Sequence, residues 1–140
     1  MNERKYLTRS EIDLLMAAIK GSRNEARDRC LLLLMFRHGL RISEVCGLKL
    51  DQVDLENRVL CVTKKKKGLS HSHRLRADEL RIIRTWLAKR ERMKPEGNGF
   101  FVSEQRKQLH RSTVNIALKK YSVRESMRAG PLDSGRSAVI

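Results

Sequence analysis

Apolar residues recur at helical spacing from Ile12 through Leu15, Met16 and Ile19, until Gly21 ends the run. Just ahead of them, Thr8-Arg9-Ser10-Glu11 has the order of a capping box, in which a threonine oxygen and a glutamate carboxylate each take an orphan amide at the helix start. Leu7 and Ile12 are placed as the accompanying hydrophobic staple. A second helix is predicted from about Asn24 to His38. Its first half is charged, with Glu25, Arg27, Asp28 and Arg29, whereas Leu31 to Phe36 are all apolar. A helix apolar on every side belongs at the centre of a fold. Gly39 supplies its left-handed stop. After Gly39-Leu40-Arg41, Ser43 is expected to cap a short third helix that leads through Val45 to Leu48.

From Gln52 the period becomes alternating. Val53-Asp54-Leu55, a turn at Glu56-Asn57, and Val59-Leu60-Cys61-Val62 predict a hairpin. Lys64 to Lys67 with Gly68 form the next turn, and Ser72 to Leu75 fit a third short strand. A fourth helix is predicted from about Ala77 to Met93, with Leu80, Ile83, Trp86 and Leu87 on one face. Residues 94–99 are a loop by composition. Phe100-Phe101-Val102 is either a short buried strand or the anchor of a loop. Ser112 is expected to cap a fifth helix whose Val114, Ala117 and Leu118 face inward as far as Tyr121. Beyond Ser122 neither period is sustained, so residues 122–140 are expected to form a poorly ordered tail. The whole pattern predicts an α+β domain over residues 5–121, mainly helical, with a small antiparallel three-stranded sheet.

Charge narrows the partner. Lys and Arg total 31 against 16 Asp and Glu, a formal net charge of +15 in a chain that is 40% hydrophobic. That combination describes a folded protein with a polyanionic partner. Nucleic acid comes first and an acidic membrane surface second, but no apolar run approaches the ~18 residues that span a bilayer. The charged start, Met1-Asn2-Glu3-Arg4-Lys5, does not read as a secretory peptide. Cys30, Cys46 and Cys61 are odd in number, widely spaced and set in apolar patterns. They are expected to be buried free thiols in a reducing cytoplasm, with no metal or disulfide role.

Two features carry chemistry. Arg41 lies just past a helix-ending Gly-Leu and immediately before a helix start. A guanidinium there suits bidentate contact with a phosphate, helped by free amides of the next helix; it equally suits a surface arginine capping the second helix. Lys64-Lys65-Lys66-Lys67-Gly68 at a hairpin tip makes a phosphate clamp, or a solvated turn that happens to be basic.

Taken in this order, the chain resembles the N-terminal part of the catalytic domain of the tyrosine recombinases, or phage integrase family. The resemblance rests on Leu7-Thr8-Arg9-Ser10-Glu11-Ile12, on Arg29 to Val45 with its Gly39-Leu40-Arg41-Ile42-Ser43-Glu44 block, and on Leu48. Lys66-Lys67-Gly68 and Phe100-Phe101-Val102-Ser103 complete it. Within the family it is most similar to the small fimbrial phase-switch invertases. In such enzymes a tyrosine attacks a DNA phosphate, leaving a 3'-phosphotyrosyl link and a free 5'-hydroxyl, with no metal or nucleotide cofactor. Two arginines and one or two histidines hold the phosphorane charge, and a hairpin lysine protonates the leaving oxygen. The resemblance implies that Arg41 is the first of those arginines and Lys67 the lysine, with Lys66 the alternative. Lys64 to Lys67 would also contact DNA phosphates, and Glu44 would orient Arg41.

The family's later motifs are not at their expected places. His71-Ser72-His73-Arg74 has the His-x-x-Arg spacing but precedes the fourth helix, and reads as coincidence. Tyr6 and Tyr121 are the only tyrosines, and Tyr121 is expected to pack rather than attack. Arg124 and Arg128 have no histidine at the right spacing. The expectation is therefore a truncated or frame-shifted member that binds double-stranded DNA, cannot cleave it alone, exposes part of its core, and associates with its own kind or with intact recombinase protomers. The rival is a small helix-turn-helix regulator built on the Gly39 turn and the Ser43 helix. Its would-be recognition helix is short and carries Val45, Leu48 and Leu50 instead of base-reading side chains. An RNA- or ribosome-associated basic protein is a third reading, supported by charge alone.

Overall fold

Capping at Thr8 is reciprocal, as the sequence predicts. The Glu11 amide donates to Thr8 Oγ1 (3.2 Å) and the Thr8 amide to Glu11 Oε1 (2.9 Å). In the computed structural model, which describes residues 8–64 and 69–129, this box opens helix α1 (Arg9–Ile19), whose Ile12, Leu15, Ala18 and Ile19 are buried. Leu7, the staple partner, lies outside the described residues.

Helix α2 (Glu25–His38) is the centre of the fold. Leu31, Leu32 and Leu34 are essentially inaccessible, and even Leu33 and Met35, on other sides of the helix, are only 9% exposed. It ends at Gly39, whose φ of 63° lies in the left-handed region and whose amide donates to the Met35 carbonyl. Helix α3 (Ile42–Cys46) follows at once. Its cap is not Ser43, which lies inside the helix. Arg41 takes the extended cap position, and the Glu44 carboxylate three residues on accepts the Arg41 amide, the half of a capping box that the third helical residue supplies.

A short 3-10 turn, η1 (Leu50–Gln52), leads into an antiparallel sheet of β1 (Val53–Asp54), β2 (Val59–Lys64) and β3 (Leu69–Arg74), ordered β1-β2-β3. Asp54 closes the first turn by accepting from the Asn57 amide (3.0 Å) and side chain (2.8 Å). Leu60 and Val62 alternate into the core, opposite His73 and His71. Strand β3 starts three residues before the expected Ser72. Leu69-Ser70-His71 has little strand propensity of its own and is strand because β2 offers it a ladder. Cys30 and Cys46 are buried free thiols, but Cys61 is only half-buried, since period 2 turns it away from Leu60 and Val62.

Helix α4 (Ala77–Met93) has the predicted bounds and buries Leu80, Ile83 and Trp86. Trp86 Nε1 donates to the Phe100 carbonyl at 3.0 Å. Phe100, Phe101 and Val102 are fully buried as a loop anchor, not a strand, held by isolated bridges Lys49–Gly99 and Val102–Gln108. Helix α5 (Arg111–Ala129) begins before Ser112, and the cap acceptor is His110 Nδ1, which takes the Ser112 amide at 3.1 Å. The tail expected from residue 122 does not begin there, because α5 continues through Ala129. Arg124, Glu125, Met127 and Ala129 favour helix without needing an apolar period. Residues 130–140 lie outside the described residues. Among the described residues no helix is long and apolar enough to cross a membrane.

Tyr121 fastens α5 to the start of α2. Its hydroxyl donates to Asp28 Oδ2 at 2.5 Å, and Arg27 Nε donates to Asp28 Oδ1 at 2.8 Å. Burial, reinforced by the Asp28 charge and hydrogen bond, pushes the Tyr121 pKa up to about 12. Tyr121→Phe should therefore lower unfolding free energy by about 1–3 kcal/mol, read by urea denaturation, because a buried carboxylate loses a donor. In the native chain the raised pKa means that this stability is intact below about pH 10 and lost as pH climbs through about 12. An unchanged urea midpoint in the variant would show that the Tyr121–Asp28 bond holds nothing.

Candidate phosphate-binding site

Arg41 is positioned by its backbone and left free at its tip. The Arg41 amide donates to Glu44 Oε1 at 2.9 Å, which fixes the cap. Its guanidinium is exposed and has no hydrogen-bond or ion-pair partner among the described residues. It therefore does not cap α2. The amides at the start of α3 add little, since the Arg41 amide is already taken and a five-residue helix has a weak dipole. The cation itself is what would attract an anion.

A charged cluster that the sequence did not reveal begins three residues before Arg41. His38, the last residue of α2, places Nε2 2.6 Å from Glu79 Oε2 and Nδ1 3.0 Å from His73 Nδ1 on β3. Glu79 is 1% exposed. Its other oxygen accepts the Arg76 amide at 2.8 Å and lies 3.7 Å from Arg37 Nη1. Burial pushes the Glu79 pKa up. The His38 hydrogen bond, the Arg76 amide and the charges of His38 and Arg37 outweigh it, so the carboxyl is held below its ordinary value. Arg37 grips Asp78 with two bonds of 3.1 and 2.7 Å, and that hydrogen-bonded pairing lowers the Asp78 pKa. Only Arg76 and Glu79, spaced like a helix cap and its third residue, gave any sequence hint of this cluster.

The lysine run connects β2 to β3, whose last described pair is Lys64–Leu69. Lys65, Lys66 and Lys67, and the side chain of Lys64, lie outside the described residues. His71 and Arg74 of the His-x-x-Arg sequence are exposed on β3, and it is His73 between them that joins the buried cluster. Among the described residues no group of three His, Cys, Asp or Glu side chains is placed to hold a metal ion. The geometry gives little support to a recognition helix, because α3 has five residues and buries Val45 and Cys46.

A mainly helical chain with a three-stranded antiparallel sheet set between α3 and α4 is the arrangement of a recombinase catalytic domain. The fold matches the lambda integrase catalytic core with a TM-score of 0.63 at 21% identity, over 87% of this chain and 73% of that one. It matches the XerH site-specific recombinase, solved as a pre-cleavage complex bound to difH substrate, with a TM-score of 0.70 at 19% identity, over 89% of this chain and 38% of that one. In sequence, residues 5–132 match the phage integrase family, and the chain belongs to that family. The type 1 fimbriae regulatory protein FimE of Escherichia coli (strain K12) is 35% identical over 113 residues, covering 79% of this chain and 57% of FimE. The chain spans about half the length of the curated relatives it matches. The family match runs past Tyr121, where the resemblance had been expected to stop.

Because Arg41 is exposed and only its amide is structural, Arg41→Ala should leave stability within about 0.5 kcal/mol of the native chain. Glu44→Ala, which orphans the cap amide, should cost about 0.3–1.5 kcal/mol. Urea midpoints separate the two, and equal losses would mean that the arginine side chain carries structure.

Proposed function

We propose that these residues are the part of a site-specific tyrosine recombinase that engages the DNA phosphate on the leaving-group side. The carrying observation is Arg41, a guanidinium with no partner among the described residues on a firmly capped turn, while its neighbour Arg37 is spent on Asp78. The net charge of +15 supports a polyanionic partner. The likeness to a recombinase solved on its DNA substrate supports double-stranded DNA as that partner.

In this reading Arg41 takes a phosphate oxygen bidentately and stabilises the charge that builds on the phosphorane. Glu44 keeps Arg41 in place through its backbone. Lys67, or Lys66, delivers a proton to the departing 5'-oxygen, and the rest of the Lys64–Lys67 run holds flanking phosphates. No cofactor enters. The work is done on DNA in the cytoplasm, beside further recombinase protomers of the same or a related chain.

The 140-residue chain by itself is proposed to bind without cleaving. Its Tyr121 hydroxyl is turned inward to Asp28 and held protonated, the opposite of what a nucleophile needs.

Fluorescence anisotropy with a labelled duplex tests the binding half. With ~6–10 phosphate contacts, affinity should fall about 10³–10⁵-fold between 50 and 200 mM salt. Arg41→Ala should weaken binding and reduce the salt slope by about 1. A flat salt response would remove the DNA reading altogether. For the cleavage half, a nicked suicide duplex should yield no covalent protein–DNA adduct on a denaturing gel. A band of retarded mobility would refute the claim of incompetence.

A further inference from the structure

We propose that His38 and Glu79 are positioning residues for Arg41: the hydrogen bond between them fixes the last turn of α2, and through it the direction in which the guanidinium meets a phosphate. This rests on the phosphate-binding reading above.

The backbone alone leaves that turn loose. The amides of Gly39 and Leu40 stop the helix, and both go to the Met35 carbonyl. Neither reaches the carbonyls of Phe36, Arg37 or His38, which are among the four that a helix end leaves without an intrahelical partner. Gly39 then takes its φ of 63° with no side chain to pack. A hinge of this kind passes on any movement of the residue before it. Beyond the hinge Leu40 is buried. That contact is apolar and non-directional, so it holds the turn close without setting its angle.

Direction comes from side chains. Consecutive residues of α2 meet consecutive residues of α4: Arg37 grips Asp78, and His38 Nε2 lies 2.6 Å from Glu79 Oε2. The two tethers are unequal. Asp78 has a side chain 41% exposed, where water and salt weaken an ion pair. The side chains of His38 and Glu79 are 7% and 1% exposed. Glu79 is held ionised, so His38 Nε2 carries the hydrogen and the bond is charge-assisted. Glu79 is itself pinned, because its other oxygen accepts the Arg76 amide at 2.8 Å. It belongs to a helix of 17 residues anchored in the core by Leu80, Ile83 and Trp86. The stronger tether therefore runs from a fixed helix to a residue three before Arg41.

Arg41 has particular need of it. Bidentate contact requires the plane of the guanidinium to line up with two phosphate oxygens. An exposed guanidinium with no partner among the described residues is aimed only by the backbone that carries it.

Two amide side chains separate the imidazole nitrogens. Asparagine places its amide near Nδ1, the atom that faces His73, and stops short of Glu79. Glutamine reaches the place of Nε2 and keeps a donor for Glu79. Labelled-duplex anisotropy on the full 140-residue chain, at about pH 8 and fixed ionic strength, keeps ordinary histidines neutral. His38→Asn should weaken binding about threefold or more, within the range over which networked residues couple. His38→Gln should bind as the native chain does. In an Arg41→Ala background, His38→Asn should change affinity by less than about 1.5-fold, because the group it positions is gone. Equal losses from His38→Asn with and without Arg41 would overturn the proposal. So would no loss from His38→Asn, or the same loss from His38→Gln. Circular dichroism checks that each variant is folded. Should His38→Asn not fold, His38→Ser, which lets water reach Glu79, takes its place in the cycle with the same outcomes. Arg41→Ala alone keeps the two levels apart. No loss of affinity there removes the phosphate reading itself, whereas a loss to which His38→Asn simply adds removes only the positioning proposal.

Discussion

A helix that is apolar on every side has to be wrapped on every side, and the architecture follows from that demand by α2. Leu31, Leu32 and Leu34 each contribute about 1.5–3 kcal/mol by leaving water, a return available only if α1, α4 and the 100–102 anchor close around them. Wrapping has a consequence at the two ends of the helix, where charged groups are drawn into the interior along with the leucines. Asp28 and Arg27 are buried at one end, and Glu79 is buried against His38 at the other.

A buried carboxylate costs several kcal/mol unless it is fully bonded, and both are. Asp28 takes Arg27 and Tyr121, which brings α5 down onto α2. Glu79 takes His38 and the Arg76 amide, which joins the end of α2 to the start of α4, with β3 attached through His73. The same requirement explains why Arg41 stays open. Arg37 and His38 satisfy the buried acids, and Glu44 is bonded to the Arg41 backbone. The guanidinium one step outside the core has no structural task among these groups.

Signals written in neighbouring residues were readable in the sequence. The Thr8 capping box, the stop at Gly39 and the amphipathic face of α4 are each decided within a turn or two of chain, and each was found. Ser43 and Ser112 fall inside their helices, and the amides at the two helix starts go to Glu44 and His110 instead. Helix α5 outran its apolar period because propensity alone extends a helix already nucleated by packing. The buried cluster was out of reach for a different reason: His38 and Glu79 are 41 residues apart, and nothing local marks them as partners. Arg41 stood out because its motif is compact. The lysine run stood out by composition, without its register.

In the proposed reading the site divides along the chain. Arg41 and the hairpin lysines serve the charge of the phosphorane and the departing oxygen, while the attacking tyrosine lies on the other side of the phosphate. Backbone phosphates look alike at every step of the duplex, so cations of this kind position a protein on DNA without reading its sequence. Target choice must then come from base contacts outside the Arg41–Lys67 site. In that reading the site's contribution would be geometry, with a guanidinium and an ammonium from different elements of the fold sharing one phosphate. Such sharing would depend on what joins α2 to β3. Among the described residues, a pair of imidazoles resting on one buried carboxylate links the end of α2 to β3.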